Sequence, residues 1–317
     1  MLSRKQLDDF EENGFLVIDQ AIDRQLVLDP LISEYEQLLQ QLRAGWIADG
    51  RLDRHAPAGT FEDLITSAYR AGLDYFQPMD ISLPAGEIAP SVPFHAGPAV
   101  FRMITDSNLL DSVEAIIGPE ITSNPIQHVR IKPPAEILDD SEIRAHITST
   151  DWHQDRAVTL EEADQTRMVT CWLAVTDATV ENGCLRVIPG SHRGRMMPHC
   201  PNPQLGIPGD YIDEKAACPV PVKAGGAILF HPLTIHGSLP NTTSNIRWSF
   251  DLRYNVTGDP TGRPVFPDFI VRSRDTPSSE MRDPAEWRRL WEAARARLSN
   301  KPPVQIHRWS PDAAHCA

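Results

Sequence analysis

Hydrophobic residues recur at helical spacing in the first third of the chain. The clearest case follows Asp29-Pro30, where an N-cap residue precedes proline at the first helical position and apolar residues repeat over 31–42. Ser3 and Thr60 each begin a capping-box pattern, which marks the start of a helix. The predicted elements are helices starting at Ser3, Asp29, Thr60 and Ser107, with one short buried strand over 15–18.

From about residue 121 the pattern changes to short alternating segments separated by proline- and glycine-rich turns. Such a succession is typical of an all-β sandwich or barrel. The stretch 198–221 is rich in proline and glycine and is predicted to be a long functional loop. A last amphipathic helix is predicted after Pro284. The predicted strands cover 121–132, 168–175, 184–188, 227–230 and 246–254.

Length and composition fit one domain better than two. The chain has 317 residues, 41% of them hydrophobic, and no segment has the composition of a linker. We therefore predict a single domain over 1–317. In it, residues 1–120 form a mainly helical support, 121–256 a barrel core, and 257–317 a C-terminal helix and tail.

The charge of the chain limits its partners. A formal net charge of -13 and a pI near 5.3 argue against nucleic acid and against an anionic membrane, since both attract basic surfaces. No apolar run approaches the length of a membrane span, so a cytoplasmic enzyme acting on a small molecule is expected. The sequence does not indicate an oligomeric state.

Cysteine usage points the same way. The five cysteines are odd in number and form no Cys-x-x-Cys pair. We therefore expect reduced cytosolic thiols, and neither a disulfide framework nor a zinc site. The cysteines are Cys171, Cys184, Cys200, Cys218 and Cys316.

The tripeptide His153-Gln154-Asp155 is the first candidate for chemistry. In a strand, successive side chains alternate between faces, so His153 and Asp155 would share one face while Gln154 points away. Two histidines and one carboxylate form the facial triad of non-haem Fe(II) oxygenases. The second histidine could be His231 or His236, which lie in one segment of the chain.

The segment 246–254 carries a second signal. Alternation places Arg247, Ser249, Asp251 and Arg253 on one face, with apolar residues on the other. Arginine and serine side by side suit a dicarboxylate, because the guanidinium binds a carboxylate through two hydrogen bonds and the hydroxyl adds a third. We assign no role to Arg253.

These features together resemble the phytanoyl-CoA dioxygenase family of Fe(II)- and 2-oxoglutarate-dependent oxygenases. The order of the motifs matches: His-x-Asp, then a histidine, then Arg-x-Ser eleven residues after His236. The matching stretches cover most of the chain, and the run over 181–192 together with the His-Gln-Asp is highly specific. They are 10–18, 131–134, 152–155, Trp172 and 181–192.

The resemblance implies a mainly β fold, a double-stranded β-helix of the jelly-roll or cupin type, flanked by N-terminal and C-terminal helices. It implies that Fe(II) is bound by His153, Asp155 and His236, and that Arg247 binds the distal carboxylate of 2-oxoglutarate. The residues that would assist at the cosubstrate are Ser249, Trp172 and one of Gln127 and His128. The implied reaction uses O2 to hydroxylate, or otherwise oxidise, an unactivated C–H bond, with release of succinate and CO2.

Several alternatives remain beside this hypothesis. His231 is interpreted as a packing residue or a support for a ligand, and His95 and His199 as loop histidines within reach of a pocket. The polar stretch 135–151 is expected to be a loop at the barrel mouth.

A free small molecule is favoured as substrate over an acyl-CoA, because the acidic chain has no basic cluster near the predicted barrel mouth. The other functions to be considered are an acyl-CoA hydroxylase, a cupin-type metalloenzyme without 2-oxoglutarate, and a non-catalytic binding protein.

Overall fold

The structure is a computed structural model that describes residues 2–56, 59–134, 149–201 and 204–316. Most of the predicted loop over 135–151 therefore lies outside the described residues. All four predicted N-terminal helices and the predicted C-terminal helix are present within them.

The helices begin where the capping patterns predict. The Ser3 side chain accepts a hydrogen bond from the Gln6 backbone N–H, and the Ser3 backbone N–H donates to the Gln6 side chain. Thr60 and Asp63 form the same reciprocal pair. The first helix ends at Gly14, whose φ of 77° favours a residue without Cβ. The helices are α1 (Arg4–Asn13), α2 (Asp29–Ala48, preceded by a π-helical turn over Arg24–Leu28), α3 (Phe61–Arg70), α4 (Phe76–Met79), α5 (Pro98–Ile104), α6 (Ser107–Ile117) and α7 (Pro284–Leu298). The π-helical turn, α4 and α5 are not predicted from the sequence.

Six strands form one antiparallel sheet in the order β1-β6-β3-β8-β2-β9. The strands are β1 (Phe15–Ile18), β2 (Ile121–Lys132), β3 (Met168–Ala174), β6 (Ala227–Phe230), β8 (Arg247–Val256) and β9 (Phe269–Arg272). β8 lies between β2 and β3, so residues on its inner face have neighbours on both sides. The sheet extends beyond the predicted core of 121–256, because β1 and β9 join it at its edges.

A second antiparallel sheet has three strands in the order β5-β4-β7. They are β4 (Leu185–Val187), β5 (Cys218–Val220) and β7 (His236–Ser238). The predicted loop over 198–221 contains β5 at its end and two short 3-10 helices, Gly209–Tyr211 and Glu214–Ala216. β5, β7 and β9 were too short or too irregular in pattern to be predicted.

The two faces of the large sheet pack against different partners. Trp248, Phe250 and Leu252 of β8 lie in the larger apolar core with the helices, and Tyr35 of α2 contacts the first two rings at 5.2 and 5.5 Å. Trp172 and its neighbours on the other face pack against the three-stranded sheet. The alternation predicted for 246–254 is therefore confirmed, and its polar face lies between the two sheets.

Two expectations about the chain are wrong. The tripeptide at 153–155 is not a regular strand: His153 forms an isolated bridge, and Asp155 begins a 3-10 helix over Asp155–Val158. Cys200 and Cys316 form a disulfide across 116 residues of sequence, whereas reduced thiols were expected; Cys171, Cys184 and Cys218 are free. Such bonds are uncommon in the cytosol, so the cytoplasmic location stays a prediction. No helix in the described part of the chain is long and apolar enough to cross a membrane.

Candidate metal centre

His153 and His236 face each other across a two-residue antiparallel bridge. The backbone N–H of His153 donates to the carbonyl of His236 at 2.8 Å, and the reverse bond is 3.0 Å. Directly opposite residues of an antiparallel pair project to the same face. Their ring centroids are accordingly 4.2 Å apart, although 83 residues of sequence, counted from the two residue numbers, separate them.

Backbone carbonyls orient both imidazole rings. Nδ1 of His153 lies 2.9 Å from the carbonyl oxygen of Asp151, and Nδ1 of His236 lies 3.0 Å from that of Thr234. A carbonyl only accepts, so each Nδ1 carries the proton and each Nε2 presents its lone pair, which is the tautomer a metal requires. Burial lowers the pKa of His153 to about 3, which keeps this ring neutral.

Asp155 completes the group from the first turn of the 3-10 helix. Its Oδ1 lies 3.9 Å from Nε2 of His153, and its Oδ2 lies 3.9 Å from Nε2 of His236. Arg253 on β8 forms a buried ion pair with Oδ1. Burial alone would raise the pKa of Asp155, but the charge of Arg253, with smaller effects from the two histidines, outweighs it and holds the pKa well below its ordinary value.

The three side chains fit a metal ion by their donors. One ligand atom from each lies within 4.8 Å of the others, and Oδ2 of Asp155 is buried with no hydrogen-bond partner among the described residues. An ionised, buried carboxylate oxygen without a donor is costly unless a cation binds it. Two imidazole nitrogens and one carboxylate oxygen are the donor set of a non-haem Fe(II) site.

Arg247 and Ser249 lie together on the same inner face of β8. Nη1 of Arg247 donates to Oγ of Ser249 at 2.6 Å, and the guanidinium carbon lies 5.3 Å from the centre of the Trp172 ring. Burial lowers the pKa of Arg247 to about 10, so the group is still charged at neutral pH. Within the described ranges, no carboxylate forms an ion pair with Arg247, and its Nε has no partner.

The two candidates on β2 point to different places. His128 lines the cavity described below, and its Nδ1 lies 2.8 Å from Oδ2 of Asp80. The Gln127 side chain is buried and donates to Oγ of Ser123 at 2.6 Å, and Gln127 is not among the residues that line the cavity. Of the pair, only His128 lines the cavity.

His95 and His231 are held away from the ligand group. His95 bonds to Oε1 of Glu34 at 2.9 Å and packs against Tyr35. Nδ1 of His231 accepts a hydrogen bond from the Leu233 backbone N–H at 3.1 Å, and its ring lies 5.2 Å from that of His192. The spacing alone left His231 open as a ligand, and the structure places it outside the cavity lining.

Sequence reasoning missed two supports of the ligand loop. Nε2 of His199 accepts a hydrogen bond from the backbone N–H of Gln154 at 3.1 Å. The side-chain amide of Gln154 forms hydrogen bonds with three backbone groups behind the site. His199 therefore fixes the peptide between the two ligands His153 and Asp155. Arg253 is the other support; its place on the polar face of 246–254 was a signal, but its partner Asp155 lies 98 residues away.

A cavity of about 180 Å³ lies between the two sheets and contains the whole group. Its lining includes all three ligand residues, Arg247 and Trp172. Two residues of the C-terminal tail, Ile306 and His307, contribute to its wall. The cavity thus brings together the three candidate metal ligands and Arg247, which has no acidic partner among the described residues.

The model of the phytanoyl-CoA dioxygenase (PhyH) family matches residues 10–249. The chain belongs to this family. The match covers His153, Asp155 and His236, the three-stranded sheet, and β1, β2, β3, β6 and the start of β8 in the larger sheet, so the predicted family is confirmed. The PhyH model ends at Ser249, the residue that bonds to Arg247.

Curated PhyH proteins and solved structures are similar over most of the chain. Human peroxisomal phytanoyl-CoA dioxygenase is 28% identical over 262 residues, which is 78% of this chain and 66% of that protein. The chain thus spans just under two thirds of that relative's length. Two solved structures share the fold at 22% identity: the non-haem monooxygenase ThoJ (TM-score 0.56; 92% of this chain, 98% of that one) and EvdO2 from Micromonospora carbonacea var. aurantiaca in complex with 2-oxoglutarate (0.52; 83% and 96%).

Proposed function

We propose that this chain is an Fe(II)- and 2-oxoglutarate-dependent dioxygenase that oxidises an unactivated C–H bond of a small organic molecule and releases succinate and CO2. One observation carries the proposal: His153, Asp155 and His236 converge on one point of a cavity whose wall also holds Arg247, a buried cation that has no ion-pair partner among the described residues. Membership of the PhyH family and the bound cosubstrate of EvdO2 support it.

In this proposal the protein holds the metal in a fixed geometry. Nε2 of each histidine and Oδ2 of Asp155 are the metal ligands, and Arg253 keeps Oδ1 from turning toward the ion. Bound Fe(II) supplies open coordination positions for 2-oxoglutarate and O2 and the oxidising chemistry. A retained carboxylate at 155 fits hydroxylation or a related oxidation.

Arg247 and Ser249 bind the distal carboxylate of the cosubstrate. A charged guanidinium buried beside a hydroxyl provides several donors, and a carboxylate would replace the missing negative charge. Trp172 and the neighbouring β-strands exclude water around this pair. His128 assists from β2, where Asp80 orients its ring.

The substrate we favour is a free small molecule, such as an intermediate of secondary metabolism or a modified amino acid. The small cavity and the acidic chain support this choice over an acyl-CoA. We further propose that the two sheets form a double-stranded β-helix and that residues 1–317 make one domain. One apolar core contains residues of the helices and of β1 and β9, the two edge strands of the larger sheet, which supports that organisation.

Succinate release tests the proposal directly. The purified protein is supplied with Fe(II), 2-oxoglutarate and O2, and with a substrate panel that includes acyl-CoA thioesters. The active protein should release succinate in a substrate-dependent manner, and His153→Ala should abolish it. His55→Ala, at an exposed loop position, is the matched control and should retain activity. Substrate conversion that continues in His153→Ala, or without 2-oxoglutarate, would contradict the proposal.

A further inference from the structure

Among the described residues four arginines line the cavity, and three of them have an assignment. Nε of Arg130 lies 2.7 Å from Oδ2 of Asp251, and Arg253 pairs with Asp155. Arg247 is assigned to the cosubstrate. The two aspartates in the described part of the lining, Asp155 and Asp251, therefore already face arginines. Arg263 is the remaining arginine in that part of the lining.

Arg263 is held in place without being neutralised. Its Nε donates to the carbonyl of Ile306 at 3.0 Å, and its Nη2 donates to the carbonyl of Val158 at 2.8 Å. The residue is 5% exposed, and in the described segments no carboxylate lies within 4.0 Å of its guanidinium. Backbone carbonyls orient a guanidinium but carry no net charge, so a buried positive charge is left without a counter-ion.

The local backbone fixes Arg263 beside the metal ligands. The carbonyl of Gly262, a residue with φ of 75°, accepts a hydrogen bond from the N–H of Leu160 at 3.2 Å, and a Cβ on Gly262 would lie 2.5 Å from Cβ of Thr159. Val158, which receives Nη2, ends the 3-10 helix that Asp155 begins. Arg263 thus spans from the ligand loop to the C-terminal tail, across one wall of the cavity.

A second nitrogen-bearing side chain faces the same space. His307 follows Ile306 in the tail and lines the cavity with Arg263. Burial, with the charge of Arg263 adding to it, lowers the pKa of His307. Burial likewise lowers the pKa of Arg263 to about 9, which leaves it charged at neutral pH. The neutral imidazole can complete a hydrogen-bonded anion site that already has its charge.

We propose that Arg263, with His307, binds a carboxylate of the substrate, so that the enzyme acts on small organic acids. The inference rests on the proposed function, because it assigns Arg247 to 2-oxoglutarate and thereby leaves Arg263 for the substrate. The acid is anchored at the wall formed by Val158, Arg263 and the tail. The carbon to be oxidised then lies on the side of His153, Asp155 and His236. A phosphate is the other anion a guanidinium binds, and the small cavity favours the carboxylate.

Binding of propionate and of its neutral amide, propanamide, separates charge recognition from shape. The protein is saturated with 2-oxoglutarate and Zn(II), a redox-inert metal, and the probes are titrated by ligand-observed NMR. Propionate should bind the wild type, and Arg263→Gln should weaken it by about tenfold or more, since a buried charge-assisted bond is lost. Arg263→Lys should restore part of the affinity. Propanamide should bind weakly and equally to all three proteins.

The controls keep this test independent of the proposed function. Arg295 lies on α7 and donates to the carbonyl of Val92, and Arg295→Gln should leave propionate binding unchanged. Retained 2-oxoglutarate binding in Arg263→Gln, with propionate binding lost, supports the inference. Equal binding of propionate to wild type and Arg263→Gln, equal losses for propionate and propanamide, or inorganic phosphate binding more tightly than propionate would overturn it. Failure of 2-oxoglutarate to bind the wild type would instead contradict the proposed function.

Discussion

At the residue scale, the site depends on the contacts behind its ligands as much as on the ligands. A backbone carbonyl fixes the tautomer of each histidine. Arg253 pairs with Oδ1 of Asp155 and so leaves Oδ2 as the free oxygen. Contacts of this kind orient the side chains that bind a metal and strengthen metal affinity. Arg253 is therefore the residue where the sequence-based assignment was least complete.

Substitution of Arg253 tests its role as a support. Arg253→Met removes the partner of Oδ1 and leaves Asp155 free to rotate, so the affinity for Zn(II) should fall by about 10- to 100-fold. Arg253→Lys should recover part of this loss. Competition with a chromophoric chelator measures the affinity, and Arg295→Met is the control. An unchanged affinity in a folded Arg253→Met protein would show that the ion pair does not position Asp155.

At the element scale, one carboxylate joins two helices of the support layer. Glu34 of α2 accepts hydrogen bonds from the N–H groups of Ala99 and Val100 at 2.8 and 3.4 Å, at the start of α5, and from His95. Burial alone would raise the pKa of Glu34, but the hydrogen bonds from His95 and Ala99 outweigh it and lower the pKa. The ionised form therefore stabilises the fold.

The pH dependence of stability follows from that shift. A carboxyl group whose pKa is lower in the folded state stabilises the protein above its unfolded pKa, near 4.5, and loses this contribution as the pH falls through the folded value. Glu34→Gln should lower the free energy of unfolding by about 1 kcal/mol at pH 7, as for loss of a helix cap. Urea unfolding should show the difference shrinking below pH 4.5. Glu36→Gln, exposed on the same helix, should show neither effect.

Local signals predicted the elements that depend on local interactions. Capping residues at Ser3 and Thr60 gave correct helix starts, and alternation over 246–254 gave the faces of β8. The strand at 153–155 was wrong, because two positions of alternation do not distinguish a strand from one bridge followed by a 3-10 turn. The short strand β7 exists through pairing with β4, which the local pattern does not contain.

Within the site, alternation put His153 beside Asp155 and, separately, Arg247 beside Ser249. The resemblance selected His236 and brought the two pairs into one site. The ion pair of Arg253 and the carbonyl bonds of Arg263 join residues far apart in sequence, and no periodicity reports such pairs. The metal, cosubstrate and catalytic roles of these residues stay predictions, tested by the variants above.

At the scale of the whole molecule, the C-terminal tail forms part of the cavity wall and is linked to the long loop by a disulfide bond. Ile306 and His307 line the cavity, and Cys316 bonds to Cys200 in the long loop after the ligand segment. Trp309 adds a hydrogen bond to the carbonyl of Ala157 at 2.9 Å. The tail is thus linked to the long loop by the disulfide and to the segment that carries Asp155 by a hydrogen bond.

Loss of the disulfide should loosen this wall. Cys316→Ser should lower the free energy of unfolding by about 2–4 kcal/mol, because the bond closes a long loop in the unfolded chain. Propionate binding should weaken too, since the tail carries His307 and the carbonyl that orients Arg263. Thermal unfolding with and without reductant measures the first effect, and Cys218→Ser is the control. Equal stability of oxidised and reduced wild type would contradict the prediction.

The central claim concerns a metal and a cosubstrate bound together, and anaerobic addition of Fe(II) and 2-oxoglutarate tests it most directly. The wild type should develop the weak visible charge-transfer band of the chelate, Arg247→Ala should lose most of it at the same cosubstrate concentration, and Arg295→Ala should retain it. A wild-type protein that binds Fe(II) but shows no band at saturating 2-oxoglutarate would contradict the account.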